Sequence, residues 1–229
     1  MSGRHAWAQP IRAVLFDLDG TLADTAGDLG AALNTLRVAR GLEPLPLATL
    51  RPHASAGARG LIGVGLDIHP GDDEFEPLRQ AFLDAYMACL ADSTCLFDGM
   101  AELLLRLEAA NMPWGVVTNK PHRFTLPVMA GLQLQARAAT IISGDSTAHA
   151  KPHPLPLLTA CEQAGIAASA TLYVGDDLRD IQAAQAAGMP SAVAGWGYLG
   201  GDTPVPDWGA DIICPHPMDI WSAVQAERP

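Results

Sequence analysis

The chain has 229 residues, 49% of them apolar and 17% charged, with a formal net charge of −11. That balance excludes a disordered chain and allows a full core, in one large domain or a domain with a sizeable insertion. Fourteen Lys and Arg stand against twenty-five acids without a basic cluster, which makes nucleic acid and anionic membrane poor partners.

Residues 1–10 read as a loose leader with no apolar h-region, so no signal peptide is expected. No apolar run approaches the ~18 residues that a membrane span needs. Cys89, Cys95, Cys161 and Cys214 show neither Cys-x-x-Cys nor zinc spacing, which predicts reduced thiols and a cytoplasmic location. A first strand is predicted over residues 11–17, where Ala13-Val14-Leu15-Phe16 runs into Asp17-Leu18-Asp19-Gly20-Thr21-Leu22. An apolar run bounded by Gly reads as a buried, central, parallel strand. Asp17 and Asp19 then point the same way at its carboxyl end, where open α/β sheets bind ligands. Gly20 lets the chain turn away, and Thr21 adds a hydroxyl beside the acids.

After Leu22 the pattern turns helical. Asp24 and Thr25 cap a predicted helix over 26–40, with Leu29, Leu33 and Leu36 at helical spacing. A Pro-rich segment and a Gly-rich stretch over 57–65 follow. A second helix is predicted at 73–90, with Phe75, Leu78, Phe82, Leu83, Tyr86 and Leu90 on one face. Residues 23–97 therefore read as an inserted helical unit without strands, too long for a plain βα connection. From Asp98 onward, helices at 99–110, 122–131, 154–164, 179–187 and 217–226 alternate with strands at 114–118, 139–142, 171–175, 191–194 and 211–214. That alternation predicts a doubly wound parallel sheet.

Polar residues gather where these strands end: Thr118-Asn119-Lys120, then Lys151-Pro152 after the next strand and loop, then Gly175-Asp176-Asp177-Leu178-Arg179-Asp180. In a parallel sheet those ends share one edge. Several carboxylates at one rim call for a hard divalent cation, and oxygen ligands suit Mg2+. A Mg2+ site beside a Lys and backbone N–H groups suits phosphate. Asp17 is then the nucleophile that forms an aspartyl-phosphate, and Asp19 the acid for the leaving oxygen and the base for water. Thr118 and the Asn119 N–H are expected to bind phosphoryl oxygens, and Lys151 to offset the negative charge.

These four stretches, in this order, resemble the motifs of the haloacid dehalogenase superfamily over nearly the whole chain. The resemblance implies a Rossmann-like core (residues 1–22 and 98–229) with a C1-type helical cap (23–97). It also implies Mg2+ held by Asp17, the Asp19 backbone carbonyl and Asp176, with Asp180 behind them holding Lys151 or a metal water. Asp177 stands where many members carry Ser or Thr, and is placed with Asp180 outside the metal's ligands. Asp19, the second acid of the first motif, is absent from the dehalogenases, so the chain resembles the phosphoryl-transfer members. Val117-Thr118-Asn119-Lys120-Pro121 resembles the phosphoglycolate phosphatase branch. Together with Gly175–Ile181 and Trp208-Gly209-Ala210-Asp211 it resembles N-acetylmuramic acid 6-phosphate phosphatases still more.

The expected partner is a small phosphate ester, and the chain is expected as a monomer or homodimer. The cap's candidates for substrate contact are His53, Ser55 and Arg59, joined by Arg123 from the second-motif loop. An arginine there pairs with a substrate carboxylate. Hinges are expected near Leu22–Thr25 and Leu96–Gly99. A sugar phosphomutase would use the same machinery and return the phosphoryl group to a sugar. A non-enzymatic phospho-receiver would be shorter, would lack the insertion and would carry its phosphorylated Asp on the third strand.

Overall fold

The structure, a computed structural model, describes residues 7–225. The first six residues of the expected leader, and the last residue of the helix read at 217–226, lie outside them. In chain order the first elements are β1 (Ala13–Phe16), β2 (Ala23–Asp24), α1 (Ala26–Ala39), α2 (Leu47–Leu50), a 3-10 turn over Arg51–Ala56, α3 (Gly57–Leu66), α4 (Phe75–Ala88) and β3 (Cys95–Leu96). There follow α5 (Met100–Ala109), β4 (Trp114–Val117), α6 (His122–Gly131), β5 (Ile141–Ile142), α7 (Leu155–Ala164) and β6 (Thr171–Gly175). The chain closes with α8 (Leu178–Ala186), β7 (Ser191–Ala194), β8 (Ile212–Cys214) and α9 (Pro217–Gln225).

Six strands form one parallel sheet in the order β5-β4-β1-β6-β7-β8. The strand carrying the two acids is thus central, as its unbroken apolar run requires. Successive side chains point to opposite faces. Val14 and Phe16 pack with Met100, Leu103 and Leu107 of α5 and Ile220 of α9, whereas Leu15 packs with Leu157 of α7 and Ala183 of α8. Phe16 stands level with Val116 of β4 and Val174 of β6. That register carries Asp17, Thr118 and Asp176 out at one rim.

Helices α1, α3 and α4 build a separate core from Leu29, Leu33, Leu61, Ile62, Phe75, Phe82 and Tyr86, which Phe124 and Tyr198 join from elsewhere in the chain. Two sequence expectations change here. Residues 23–97 do contain strands: β2 and β3 pair antiparallel, Ala23 with Leu96 and Asp24 with Cys95. Strands of two residues are too short to leave a period in the sequence. The Gly-rich stretch is helix α3. A side chain at Gly65 would strike Leu33, so glycine there lets α1 and α3 approach closely. The end of the expected leader is not loose, because Trp7 is buried and its indole N–H donates to the Ala223 carbonyl at 3.0 Å. Among the described residues no helix is long and apolar enough to cross a membrane.

Candidate active site

Where β1 ends, Asp17 is buried, and the Leu18 N–H donates to its Oδ1 at 2.7 Å. The chain then turns through Gly20 at φ 83°, where any side chain would also collide with the Asp176 carboxylate. The turn is therefore glycine's for two independent reasons. It leaves Thr21 able to donate to Asp176 Oδ1 at 2.9 Å.

Lys151 reaches the same place from the far side of β4. Its buried ammonium lies 3.0 Å from Asp17 Oδ1 and 2.7 Å from Asp180 Oδ1, and donates to the Val117 carbonyl and the Tyr173 hydroxyl at 3.0 and 2.9 Å. Burial alone would lower this ammonium, but the Asp17 and Asp180 charges outweigh it and hold it above its ordinary value. The Asn119 side chain fixes the Lys151 backbone by a reciprocal pair of hydrogen bonds, each 2.9 Å. Thr118 is buried at the end of β4, and its hydroxyl accepts the Lys120 N–H at 3.1 Å.

Asp176 follows β6 and is fully buried. Besides Thr21, its carboxylate accepts the Tyr198 N–H at 3.0 Å and the Ser55 hydroxyl at 2.9 Å. Ser55, expected at the substrate, lines the cavity shared with Asp17 and at the same time holds the Asp176 carboxylate. Asp177 caps α8, and Asp180 closes the capping box by accepting the Asp177 N–H at 3.1 Å. Burial would raise the Asp177 carboxyl, but Arg179, paired with both of its oxygens, holds it below the usual range. The same guanidinium donates to the Ser55 carbonyl at 3.0 Å.

Carboxylate oxygens of Asp17, Asp176 and Asp180 all lie within 4.8 Å of one another. Burial, with the charges of Asp180 and Asp19 and against the pull of Lys151, pushes Asp17 up to about 7. Burial and the Asp17 and Asp180 charges push Asp176 up to about 8. One lysine does not balance three buried acids, so the cluster is short of positive charge. Oxygen donors alone and a deficit of positive charge fit a hard divalent cation. The Asp19 carboxylate is engaged elsewhere: its Oδ1 lies 2.8 Å from Lys120 Nζ and accepts the Thr25 hydroxyl at 2.6 Å.

Sequence reasoning passed over Lys120, although it directly follows Asn119 in the same strand-end run. It also missed Tyr198, which lies in a loop with neither period nor motif, and Arg79, on an exposed turn of α4. Asp17, Asp19, Thr118, Asn119, Lys120 and Lys151 line a cavity of about 440 Å3. Leu29, Phe82, Leu83, Tyr86 and Phe124 add an apolar wall, and Arg59, Arg79 and Arg123 also border it. His53 borders a neighbouring cavity of about 330 Å3 instead.

A family model described as haloacid dehalogenase-like hydrolase matches residues 14–194. A phosphoglycolate phosphatase of Xanthomonas campestris pv. campestris is 47% identical over 95% of this chain and 98% of its own. An N-acetylmuramic acid 6-phosphate phosphatase of Pseudomonas aeruginosa is 42% identical over 92% of this chain and 93% of its own. Among solved structures, one described as a predicted phosphoglycolate phosphatase from Haemophilus somnus 129PT superposes with a TM-score of 0.80 at 25% identity. It covers 95% of this chain and 100% of that one. With the match spanning most of the sheet and the acids, lysine and threonine gathered at its rim, the chain belongs to the haloacid dehalogenase-like hydrolase family.

Proposed function

We propose that the protein hydrolyses a small phosphomonoester through an aspartyl-phosphate on Asp17, with Mg2+ as its metal. In this reading residues 23–97 act as a cap on a core of residues 1–22 and 98–229. Phosphoric monoester hydrolysis itself rests on the family match and on the named activities of relatives that align end to end. The observation that carries the finer reading is Asp17: a buried carboxylate opening on a cavity, 3.0 Å from a lysine and within 4.8 Å of two further acids.

Leu18 N–H and Lys151 both hold Asp17 Oδ1, which orients Oδ2 for attack on phosphorus. As the P–O bond to the alcohol breaks, Asp19 gives its proton to the departing oxygen. Water then attacks the aspartyl-phosphate, Asp19 takes its proton, and inorganic phosphate leaves with Asp17 restored. Thr118 and the Asn119 N–H receive phosphoryl oxygens, and Lys151 offsets their charge. Asp17 and Asp176 would hold the metal, with the Asp19 carbonyl beside them and Asp180 braced behind by Lys151. When bound, the ion neutralises phosphoryl charge.

Relatives named for each substrate align over more than nine-tenths of this chain, at 47% and 42% identity. A cavity of about 440 Å3 with an aromatic wall favours the bulkier alcohol, N-acetylmuramic acid 6-phosphate, over 2-phosphoglycolate. Either would present a carboxylate to Arg59, Arg79 or Arg123. The test is phosphate release from both esters, with Mg2+ and with EDTA, by the wild-type protein and by Asp17→Asn. We expect release to need Mg2+ and to fall by about 10^3-fold or more in the variant. Equal rates in the two proteins would remove Asp17 as nucleophile, and isomerised sugar phosphate without free phosphate would turn the reading to a mutase.

A further inference from the structure

Tyr86 lies on α4, and its ring is among the most deeply buried in the molecule, 2% exposed. It stacks on Phe82 at 6.4 Å between centroids and tilts against Phe124 at 5.3 Å, while the Lys120 ammonium sits 4.6 Å from its centroid. The aromatic contacts use the ring, and phenylalanine would keep them. The hydroxyl makes no hydrogen bond of good geometry within the protein, the one buried side-chain oxygen or nitrogen of which that is true among the described residues, and the one polar side chain close beside it is Lys120. A buried hydroxyl without a partner destabilises a fold. Tyr86 also borders the cavity that Asp17, Asp19 and Lys120 share.

Building on the phosphatase reading, we infer that Tyr86 is a specificity-determining residue, whose hydroxyl donates to an oxygen on the alcohol portion of the substrate. Lys120 is the link in the geometry: it touches the Tyr86 ring on one side and Asp19, the donor of the leaving group's proton, on the other. Tyr86 therefore borders the cavity on the side of the alcohol half of the ester and not of its phosphoryl half. Burial pushes the phenol up to about 12 against the pull of Lys120, so it keeps its proton and acts as a donor throughout the neutral range. Its complement is a hydroxyl, ether or carbonyl oxygen. The substrate class is thus an oxygen-bearing alcohol, a sugar or hydroxy acid, as distinct from an aryl or alkyl phosphate.

Tyr86→Phe tests this, because it removes one oxygen and keeps every ring contact. Phosphate release is measured for wild type and variant on N-acetylmuramic acid 6-phosphate, 2-phosphoglycolate and phenyl phosphate, whose alcohol portion offers no second oxygen. The readout is the ratio of kcat/KM for the better oxygen-bearing ester to that for phenyl phosphate. We expect this ratio to fall about tenfold in the variant, the loss of one neutral hydrogen bond, with Tm equal to or above wild type. An unchanged ratio overturns the inference, as does a wild-type ratio below ten. A fall in Tm of several degrees also overturns it, since the hydroxyl would then have a partner in the protein. Failure of the wild-type protein to release phosphate from any ester would instead refute the phosphatase reading itself.

Discussion

Lys120 and Lys151 are both buried and both paired with an acid of the first motif, yet their surroundings assign them different work. Lys151 is held by two carboxylates, a carbonyl and a phenol, and it lies against Asp17, the proposed nucleophile. Lys120 touches Asp19, the proposed acid/base, and the face of Tyr86, so its charge is set between that acid and the helical wall. Asp19 Oδ1 has two holders, Lys120 and Thr25, and loses its charged one in Lys120→Met. We expect that variant to lose kcat by about 10^2-fold, in the range that general acid–base catalysis contributes, with a smaller change in KM. Lys120→Arg should recover part of the loss. Steady-state kinetics on the two variants decide it, and a loss confined to KM would make Lys120 a substrate ligand instead. Much of this site was legible because Asp17, Thr118 and Asp176 each follow an apolar run and strand ends in a parallel sheet share an edge, while Lys151 follows a strand and a loop. The second contact of Ser55 was not legible, because nothing local shows that a residue lining the cavity also donates to the Asp176 carboxylate.

At the scale of elements, the connections between sheet and helices depend on side chains that cap or pin chain ends. Thr25 precedes α1 but its hydroxyl is committed to Asp19. The free N–H groups of Thr25 and Ala26 donate instead to the Tyr198 hydroxyl, at 2.8 and 2.9 Å. The helix starts at the expected Asp24–Thr25 cap, and Asp24 Oδ1 accepts the Ala26 N–H at 3.4 Å, but the shorter bonds go to a residue far along the chain. Asp28, one turn further on, is buried and accepts the N–H and hydroxyl groups of both Ser93 and Thr94, which ties α1 to the approach to β3. Asp28→Ala leaves those donors without their acceptor beside a packed helix. We expect a loss of about 2–4 kcal/mol, seen as a Tm lower by several degrees in a thermal melt. A change under one degree would mean that water replaces the carboxylate without cost. Helices α1, α5 and α6 were legible nearly to the residue. The β2–β3 ribbon was not, since its pairing is set by the fold and not by any run of residues.

For the whole molecule, the acid cluster makes stability a function of metal and pH together. Asp17 and Asp176 move from an ordinary 3.8 to about 7 and about 8 in the metal-free fold, chiefly through burial. Both shifts are upward, so the folded chain keeps protons that the unfolded chain has released once pH passes about 4. The stabilisation from those protons is complete below that pH and is lost as pH rises through 7 to 8. On the proposed function a divalent cation should reverse the balance. It would bind the deprotonated acids in competition with the protons and stabilise the fold by mass action, about 2.7 kcal/mol at a hundred times its dissociation constant. For a chain of this size that amounts to a rise in Tm of about 5–10 °C. The rise should be largest at pH 8.5, where the acids are ionised and the metal-free fold has lost its bound protons. It should shrink at pH 5.5, where protons already neutralise the cluster. Thermal melts with and without Mg2+ at the two pH values measure both quantities, and Asp176→Asn, which removes one titrating acid and one ligand, should flatten the difference. A Mg2+ increment that is equal at both pH values, or larger at 5.5, would mean that the ion binds away from Asp17 and Asp176.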